Sequence, residues 1–311
     1  MMSKAIPLYD NGPEPEEVVE TSNGHEPNPN HSPEEDIKAF ALKKGAVVVG
    51  IADAEEIKRH TPEGHRPSDL MLEARTVIVV GVEPLLAAAW RTTNPRMMGV
   101  TGSFKLKKLK SVAVGLAEYI EQEHQYYATD YNTYTMATGS WDPALSIKLC
   151  AELAGLGTRS MAGGMILNPE WGFLYYSLVV TSMPLKADGP MTEPACPAPA
   201  CVDMWQESGT TPCLNICPMC LSGSLDDKGQ IDHWEYDRIR CSTRADYTRV
   251  GFQKLLYEAT EEPDPEKRKM ILLGSDMTRY VAAIGYSTEI AGECFECIRV
   301  CPVGAHHREK K

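Results

Sequence analysis

Two cysteine segments of this chain rhyme. One reads Cys213-Leu214-Asn215-Ile216-Cys217-Pro218, with Cys220 two residues beyond the proline. The other reads Cys294-Phe295-Glu296-Cys297-Ile298-Arg299-Val300-Cys301-Pro302. Both contain C-x3-C-P, and the second has the full C-x2-C-x3-C-P. Nine of the ten cysteines follow residue 195, and in a reducing compartment such clustering points to metal ligation rather than disulfides. In proteins that hold two iron–sulfur clusters, the cysteine before the proline ligates the other cluster. Applied here, the crossing gives one set of Cys217, Cys241, Cys294 and Cys297 and a second of Cys196, Cys201, Cys213 and Cys301, enough for two [4Fe-4S] clusters. Cys220 is an alternative to Cys196 or Cys201, and Cys150 is left over. A zinc site does not account for the two C-P endings. The triplet Cys213, Cys217 and Cys220 also matches a radical-enzyme motif, but that chemistry needs a barrel built afterwards, and fewer than 100 residues follow Cys220.

Ligands spread over a hundred residues must be gathered by a folded frame. Ser32 as N-cap and Pro33 at the first helical position predict a helix to about Lys44, ended by Gly45. Apolar runs at 46–51 and 76–82 predict buried strands. Leu106, Leu109, Val112, Leu116 and Ile120 recur at helical spacing and form the core face of a helix over about 103–124. A strand is expected over 131–138, a helix over 142–153, and strands over 164–168 and 173–183. Helices alternating with few, irregularly spaced strands predict an α+β fold up to about residue 188. Composition then turns rich in proline and cysteine over 184–218, and helical patterns return at 246–262, 265–273 and 277–285. Residues 1–33, with six prolines, read as a disordered acidic tail. The expected division is that tail, a domain over 34–188, and a cysteine-bearing domain over 189–311 with a helical insertion at about 221–293.

Composition narrows the partners. The 43% hydrophobic content supports a core without cysteine staples. Of the net charge of −12, residues 1–36 carry nine acids against one lysine, or −8, which leaves −4 for the body. A mildly acidic body does not advertise nucleic-acid binding. No run of 18 apolar residues predicts a membrane span. The first residues hold no apolar signal core and no twin arginine, so a cytoplasmic location is expected.

Further motifs precede the cysteines. They are Ala154-Gly155-Leu156-Gly157, then Met165-Ile166-Leu167-Asn168-Pro169-Glu170-Trp171-Gly172, with Gly64-His65-Arg66-Pro67 and the opening from Asp36 to Asp53 upstream. In this order, ahead of a two-cluster domain, they make the chain resemble the corrinoid-dependent iron–sulfur reductases, the superfamily of epoxyqueuosine reductases and reductive dehalogenases. Asp142-Pro143-Ala144-Leu145-Ser146-Ile147 looks like the dehalogenase branch. The resemblance covers about residues 36–311. It implies a nitroreductase-like domain cradling cobalamin base-off, followed by a two-cluster ferredoxin-like domain. It assigns Tyr131, Ser160, Met161, Gly163, Gly164, Met165, Ile166 and Asn168 to the cofactor, with Ala162-Gly163-Gly164 allowing close backbone approach to a flat ligand. The family usually carries Lys or Arg four residues after the last glycine of Ala-Gly-Leu-Gly. That position is Met161 here, with Arg159 two residues earlier.

The implied activity is a reductase that takes electrons from a low-potential donor of ferredoxin or flavodoxin type. It passes them through two clusters to the corrinoid and removes a halide or an oxygen group from a small organic substrate. Tyr134 or Asp142 would protonate the product and Arg159 would bind the leaving anion. Plainer roles compete: an N-cap for Asp142, strand packing for Tyr131 and Tyr134, and solvated surface for Arg159. Lys105, Lys107, Lys108 and Lys110 read as a solvated helix face or as a patch for an acidic donor. Two other functions remain open. One is an electron-transfer or corrinoid-reducing protein without its own organic substrate, which Met161 favours. The other is a tRNA-modifying enzyme of the epoxyqueuosine reductase kind, which the acidic body disfavours.

Overall fold

The computed structural model describes residues 32–92, 95–131, 144–217, 219–237, 240–241, 247–278 and 295–309. Tyr134, Asp142, Cys294, nearly all of the tail, and most of the strand expected at 131–138 and of the helix expected at 277–285 lie outside these residues.

The described residues open with α1 (Pro33–Lys43). Ser32 Oγ accepts the Glu35 N–H and the Glu35 carboxylate accepts the Ser32 N–H, a reciprocal cap that starts the helix. There follow β1 (Val48–Asp53), α2 (Ala54–Arg59), α3 (Pro67–Leu70), β2 (Thr76–Val82), α4 (Ala87–Trp90), α5 (Pro95–Glu123), β3 (Ala128–Tyr131), α6 (Ile147–Leu153), β4 (Thr158–Arg159), β5 (Ile166–Asn168), β6 (Gly172–Phe173) and β7 (Tyr175–Thr181). Four strands form an antiparallel sheet in the order β1-β2-β7-β3. Every residue of β2 and β7 is buried, which is why these strands read as mostly apolar runs rather than alternating ones. Side chains nevertheless alternate in direction. Ile78, Val80 and Val82 join Leu109 and Leu116 of α5 in one core, while Val77 and Val79 join Cys150 and Ala151 of α6 in the other. The fold is thus mixed α and β, a sheet between helical layers.

The cysteine-bearing part contains α7 (Pro199–Ser208), α8 (Pro212–Ile216), β8 (Leu221–Leu225), β9 (Ile231–Tyr236), α9 (Tyr247–Glu261), α10 (Pro265–Leu273), α11 (Glu296–Arg299) and α12 (Ala305–Arg308). Cys213, Cys301, Phe295, Ile298 and Val303 share the core on the α5 side of the sheet, and Phe295 meets Trp90 edge-on at 5.6 Å. Several elements depart from expectation. The helix expected from 142 starts only at Ile147, because Ser146 is its N-cap and accepts the Leu149 N–H. The long helix begins at Pro95, eight residues before the start expected at 103. The segment read as a helical insertion opens with the β8–β9 hairpin. Asp226 Oδ1 accepts the N–H groups of Lys228 and Gln230, and Gly229 takes φ +74, which closes the turn.

Candidate metal centre

Short helices set the thiol positions. Pro199 starts α7 and Gly209, at φ 66, ends it. Pro212 starts α8, with Cys213 in its first turn and Cys217 at its end; the Cys217 N–H donates to the Cys213 carbonyl at 3.3 Å. Four helical residues advance the chain about 6 Å, so Cys213 and Cys217 lie one turn apart. Cys297, in α11, and Cys301, just beyond it, repeat the spacing.

Cys196, Cys201, Cys213 and Cys301 lie close enough to perturb one another. Burial pushes the Cys196 thiol up to about 12; an N–H from Met161 opposes the shift, and the charges of Cys213, Cys301 and Cys201 add to it. Burial pushes Cys301 up to about 11, countered by the Val303 N–H and by Arg308, with Cys201 and Cys213 pushing further upward. Burial also raises Cys201 and Cys213, each opposed by backbone N–H bonds, from Ala198 and from Leu214 among others. Three buried thiols and one half-buried thiol, Cys196, that repel one another as thiolates are relieved by a shared cationic centre, so this donor set fits an iron–sulfur cluster. Arg308 is buried beside it. Its guanidinium donates to the carbonyls of Cys301 and Val303 and lies 5.7 Å from the Trp90 ring.

A second group contains Cys217, Cys220, Cys241 and Cys297. Cys217 Sγ is 2.9 Å from Cys220 Sγ, and the Cys220 N–H donates to Cys217 Sγ at 3.4 Å. Burial alone would raise Cys217, but hydrogen bonds from the Cys220 thiol and from the N–H groups of Met219, Cys220 and Leu221 bring it below its ordinary value. Cys220 is raised by burial, by Cys217 and by Cys241. The Tyr236 hydroxyl bonds to Cys241 and feels Cys220 and Cys297. Cys220 therefore does not stand in for Cys196 or Cys201. Its carbonyl accepts the Asp237 N–H at 2.9 Å, which pins it at the open end of the hairpin beside Cys217.

Residues 160–165 link the two groups. Ser160 and Met161 are each 1% exposed, and Ser160 Oγ donates to the Met165 carbonyl at 2.9 Å. Gly163 and Gly164 take φ +69 and +60, conformations that side chains oppose. A Cβ on Gly164 would lie 2.8 Å from the Trp234 ring, and one on Gly163 would lie 3.5 Å from Tyr236. Met161 Cε in turn lies 2.7 Å from where a Gly223 Cβ would sit. Lys148 Nζ donates to the Gly163 carbonyl at 3.4 Å and stands 6.0 Å from the Tyr236 ring. The face expected to meet a corrin is filled by this chain's own hairpin. A corrin does not fit against Gly163 and Gly164 with the hairpin in this position.

Other expected cofactor residues are committed elsewhere. Tyr131 and Ile166 lie in the core on the α6 side of the sheet, and the Tyr131 hydroxyl accepts the Leu145 N–H at 3.0 Å. Asn168 Nδ2 donates to the Leu156 carbonyl at 2.9 Å, while its Oδ1 accepts the N–H groups of Glu170 and Trp171. Arg159 pairs with Glu152 at 2.9 Å, and Met165 is half-buried. Lys105 pairs with Glu83 at 3.7 Å and Lys107 stands over the exposed Phe104. Trp234 and Tyr236 went unremarked in the sequence. Their signal was a period-2 stretch, Ile231-Asp232-His233-Trp234-Glu235-Tyr236, after a turn ending in glycine. Arg308 had no comparable signal.

No family profile matches the sequence, and no curated protein matches it. Solved structures do. A reductive dehalogenase described as suggesting a mechanism for B12-dependent dehalogenation matches with TM-score 0.50 and 17% identity over 86% of this chain and 38% of that one. Epoxyqueuosine reductase from Bacillus subtilis gives 0.48 and 16%, over 89% of this chain and 67% of that one. A catabolic reductive dehalogenase in complex with 3-bromo-4-hydroxybenzoic acid gives 0.48 and 18%, over 81% and 36%. At 17% identity the likeness is one of fold, and this chain spans little more than a third of the dehalogenases. Among the described residues, no helix is long and apolar enough to cross a membrane.

Proposed function

We propose that this chain is a two-cluster iron–sulfur oxidoreductase. In this reading Cys196, Cys201, Cys213 and Cys301 hold one [4Fe-4S] cluster, and Cys217, Cys241, Cys297 and either Cys220 or Cys294 hold the other. The observation that carries it is the gathering of eight cysteines into two groups one helical turn apart along both α8 and α11. Clusters bound there supply one-electron carriage. Cys217, Cys241 and Cys297 are half-buried and Cys220 is buried, whereas Cys201, Cys213 and Cys301 are buried and Cys196 is half-buried, so a low-potential donor meets the more exposed Cys217 group and electrons move inward to the Cys201 group. The Met161 N–H on Cys196 and the Tyr236 hydroxyl on Cys241 stabilise negative charge on sulfur and so tune potential. Anaerobic purification with metal analysis tests this: about eight irons per chain are expected, and zinc in place of iron would sink it.

A second reading is favoured by the fold shared with a reductive dehalogenase. Here the chain belongs with the corrinoid reductases, with a nitroreductase-like domain over 34–188 and a ferredoxin-like domain after it, and removes a halide or an oxygen group from a small organic substrate. It requires the hairpin to leave Gly163 and Gly164, because Trp234 occupies that face. Titration of the anaerobic protein with hydroxocobalamin decides it. Trp234→Ala should bind at least tenfold more tightly than the parent. Equal failure of both proteins to bind leaves the electron-transfer reading alone.

A further inference from the structure

The C-terminal helix α12 meets the turn between β5 and β6, and this seam carries a cluster of side chains outside the thiol groups. The two backbones touch. A Cβ on Gly304 would fall 2.4 Å from the Trp171 carbonyl oxygen and from the Gly172 nitrogen, and one on Gly172 would fall 2.5 Å from the Val303 carbonyl oxygen. Gly172 and Gly304 also take φ +71 and +68, so glycine is needed at both on two counts. The turn is fixed in its own right, because Asn168 Oδ1 accepts the N–H groups of Glu170 and Trp171 at 3.0 Å. Across the seam, Trp171 stacks on His307 with centroids 3.9 Å apart and 13° between planes, which holds that imidazole in place.

Two imidazoles then converge on one carboxylate oxygen. His306 Nε2 lies 3.1 Å and His307 Nε2 lies 3.3 Å from Glu170 Oε1, and all three ligand atoms lie within 4.8 Å of one another. An ion with bonds of about 2.0–2.1 Å in a tetrahedral shell sets its ligand atoms about 3.3 Å apart, so two of the three edges already have that length. We propose that Glu170, His306 and His307 form a binding site for a borderline divalent ion of the zinc class. Two nitrogens and one carboxylate oxygen suit such an ion better than a hard calcium or magnesium ion. Side-chain exposures of 66% for Glu170 and 60% for His306 leave the remaining position to water. α12 begins four residues past Cys301, so the ion clamps the end of a cluster-binding segment to the sheet domain. The site uses no cysteine and does not depend on the cluster assignment.

The test is a zinc titration of the full chain, purified anaerobically with its iron in place, read by metal analysis and zinc X-ray absorption. The expected result is one equivalent of zinc with only nitrogen and oxygen neighbours at about 2.0–2.1 Å. Nitrogen- and oxygen-bound zinc is counted separately from any bound by sulfur, whatever the thiols take up. Glu170→Gln and His307→Ala should each weaken this equivalent at least tenfold, and His306→Ala/His307→Ala should abolish it. Circular dichroism and the unfolding midpoint without added zinc should match the parent and confirm that the variants are folded. Zinc bound only through sulfur at about 2.3 Å, no nitrogen- and oxygen-bound zinc in the parent, or an equivalent that survives Glu170→Gln unchanged overturns the proposal.

Discussion

In the proposed assignment five cysteines are candidates for the four corners of the cluster that includes Cys217: Cys217, Cys220, Cys241, Cys294 and Cys297. The contact between Cys217 and Cys220 separates their roles. The sulfurs are 2.9 Å apart, and the Cys220 N–H also donates to Cys217 Sγ. Only the backbone N–H has a fixed direction, but of the two thiols Cys217 is the one held below its ordinary value, so in the proposed assignment Cys217 is the thiolate ligand and Cys220 an S–H donor to it. Cys217→Ser should cost about four of eight irons per chain, whereas Cys220→Ala should keep all eight. Cys220→Ala also removes one hydrogen bond from a ligand sulfur, with a net worth of about 1 kcal/mol. For a one-electron couple about 1.4 kcal/mol corresponds to about 59 mV, so the midpoint should fall by about 40 mV, because the reduced, more negative cluster loses more. Iron per chain and a redox titration followed by electron paramagnetic resonance measure both effects. Half the iron lost from Cys220→Ala with Cys217→Ser intact would refute the argument. A midpoint shift under about 10 mV would show that the Cys220 thiol is not aimed at a cluster sulfur.

Tyr236→Phe removes the hydroxyl from Cys241 and should lower the same midpoint by a few tens of millivolts at unchanged iron content, in the same titration. The Tyr119 hydroxyl donates to Asp36 Oδ2 at 2.6 Å, and burial together with that carboxylate pushes its pKa above the ordinary value of 10.0. Its contribution to stability is complete below pH 10 and is lost as pH rises toward the higher folded value. Denaturant unfolding should thus weaken by up to about 1.4 kcal/mol per pH unit above about pH 10, and Tyr119→Phe should flatten that slope. Cys150 is fully buried and its thiol is held above the ordinary value by burial, so iodoacetamide should label it only after unfolding, as read by peptide mass.

Much of the frame was legible because local chemistry and tertiary demand agree there. Thr76 to Val82 has seven residues buried on two faces, so it could only be an apolar run. Ser32, Pro33 and Glu35 specify a helix start without help from the rest of the fold. Cys213 and Cys217, and likewise Cys297 and Cys301, face two groups because i and i+4 are successive turns of a helix. That proximity follows from spacing, while ligation by metal remains the proposal. What the sequence hid depends on contacts across the chain. The Cys220 carbonyl meets the Asp237 N–H only because β8 pairs with β9. Arg308 is buried by Trp90, more than 200 residues away, and a basic residue in a polar tail gives no hint of that. Gly163 and Gly164 announce a close approach but not what approaches, and a flat cofactor and a pair of aromatic rings make the same demand on the backbone.

Met161 and the hairpin are best understood as one structural decision. A cation at position 161 would need water or a partner, since an unpaired buried charge costs several kcal/mol. In this chain the position is buried, and the Met161 methyl meets the hairpin at Gly223, which itself has room for no Cβ. An unbranched thioether fills such an irregular gap where an ammonium or guanidinium group would force the hairpin away. With the hairpin closed, Trp234 and Tyr236 cover the two left-handed glycines, and the Tyr236 hydroxyl comes onto Cys241. The same closure leaves the Met161 N–H on Cys196. A methionine at this position therefore supports a buried bridge of backbone and aromatic side chains between two thiol groups, which is consistent with the proposed electron carriage.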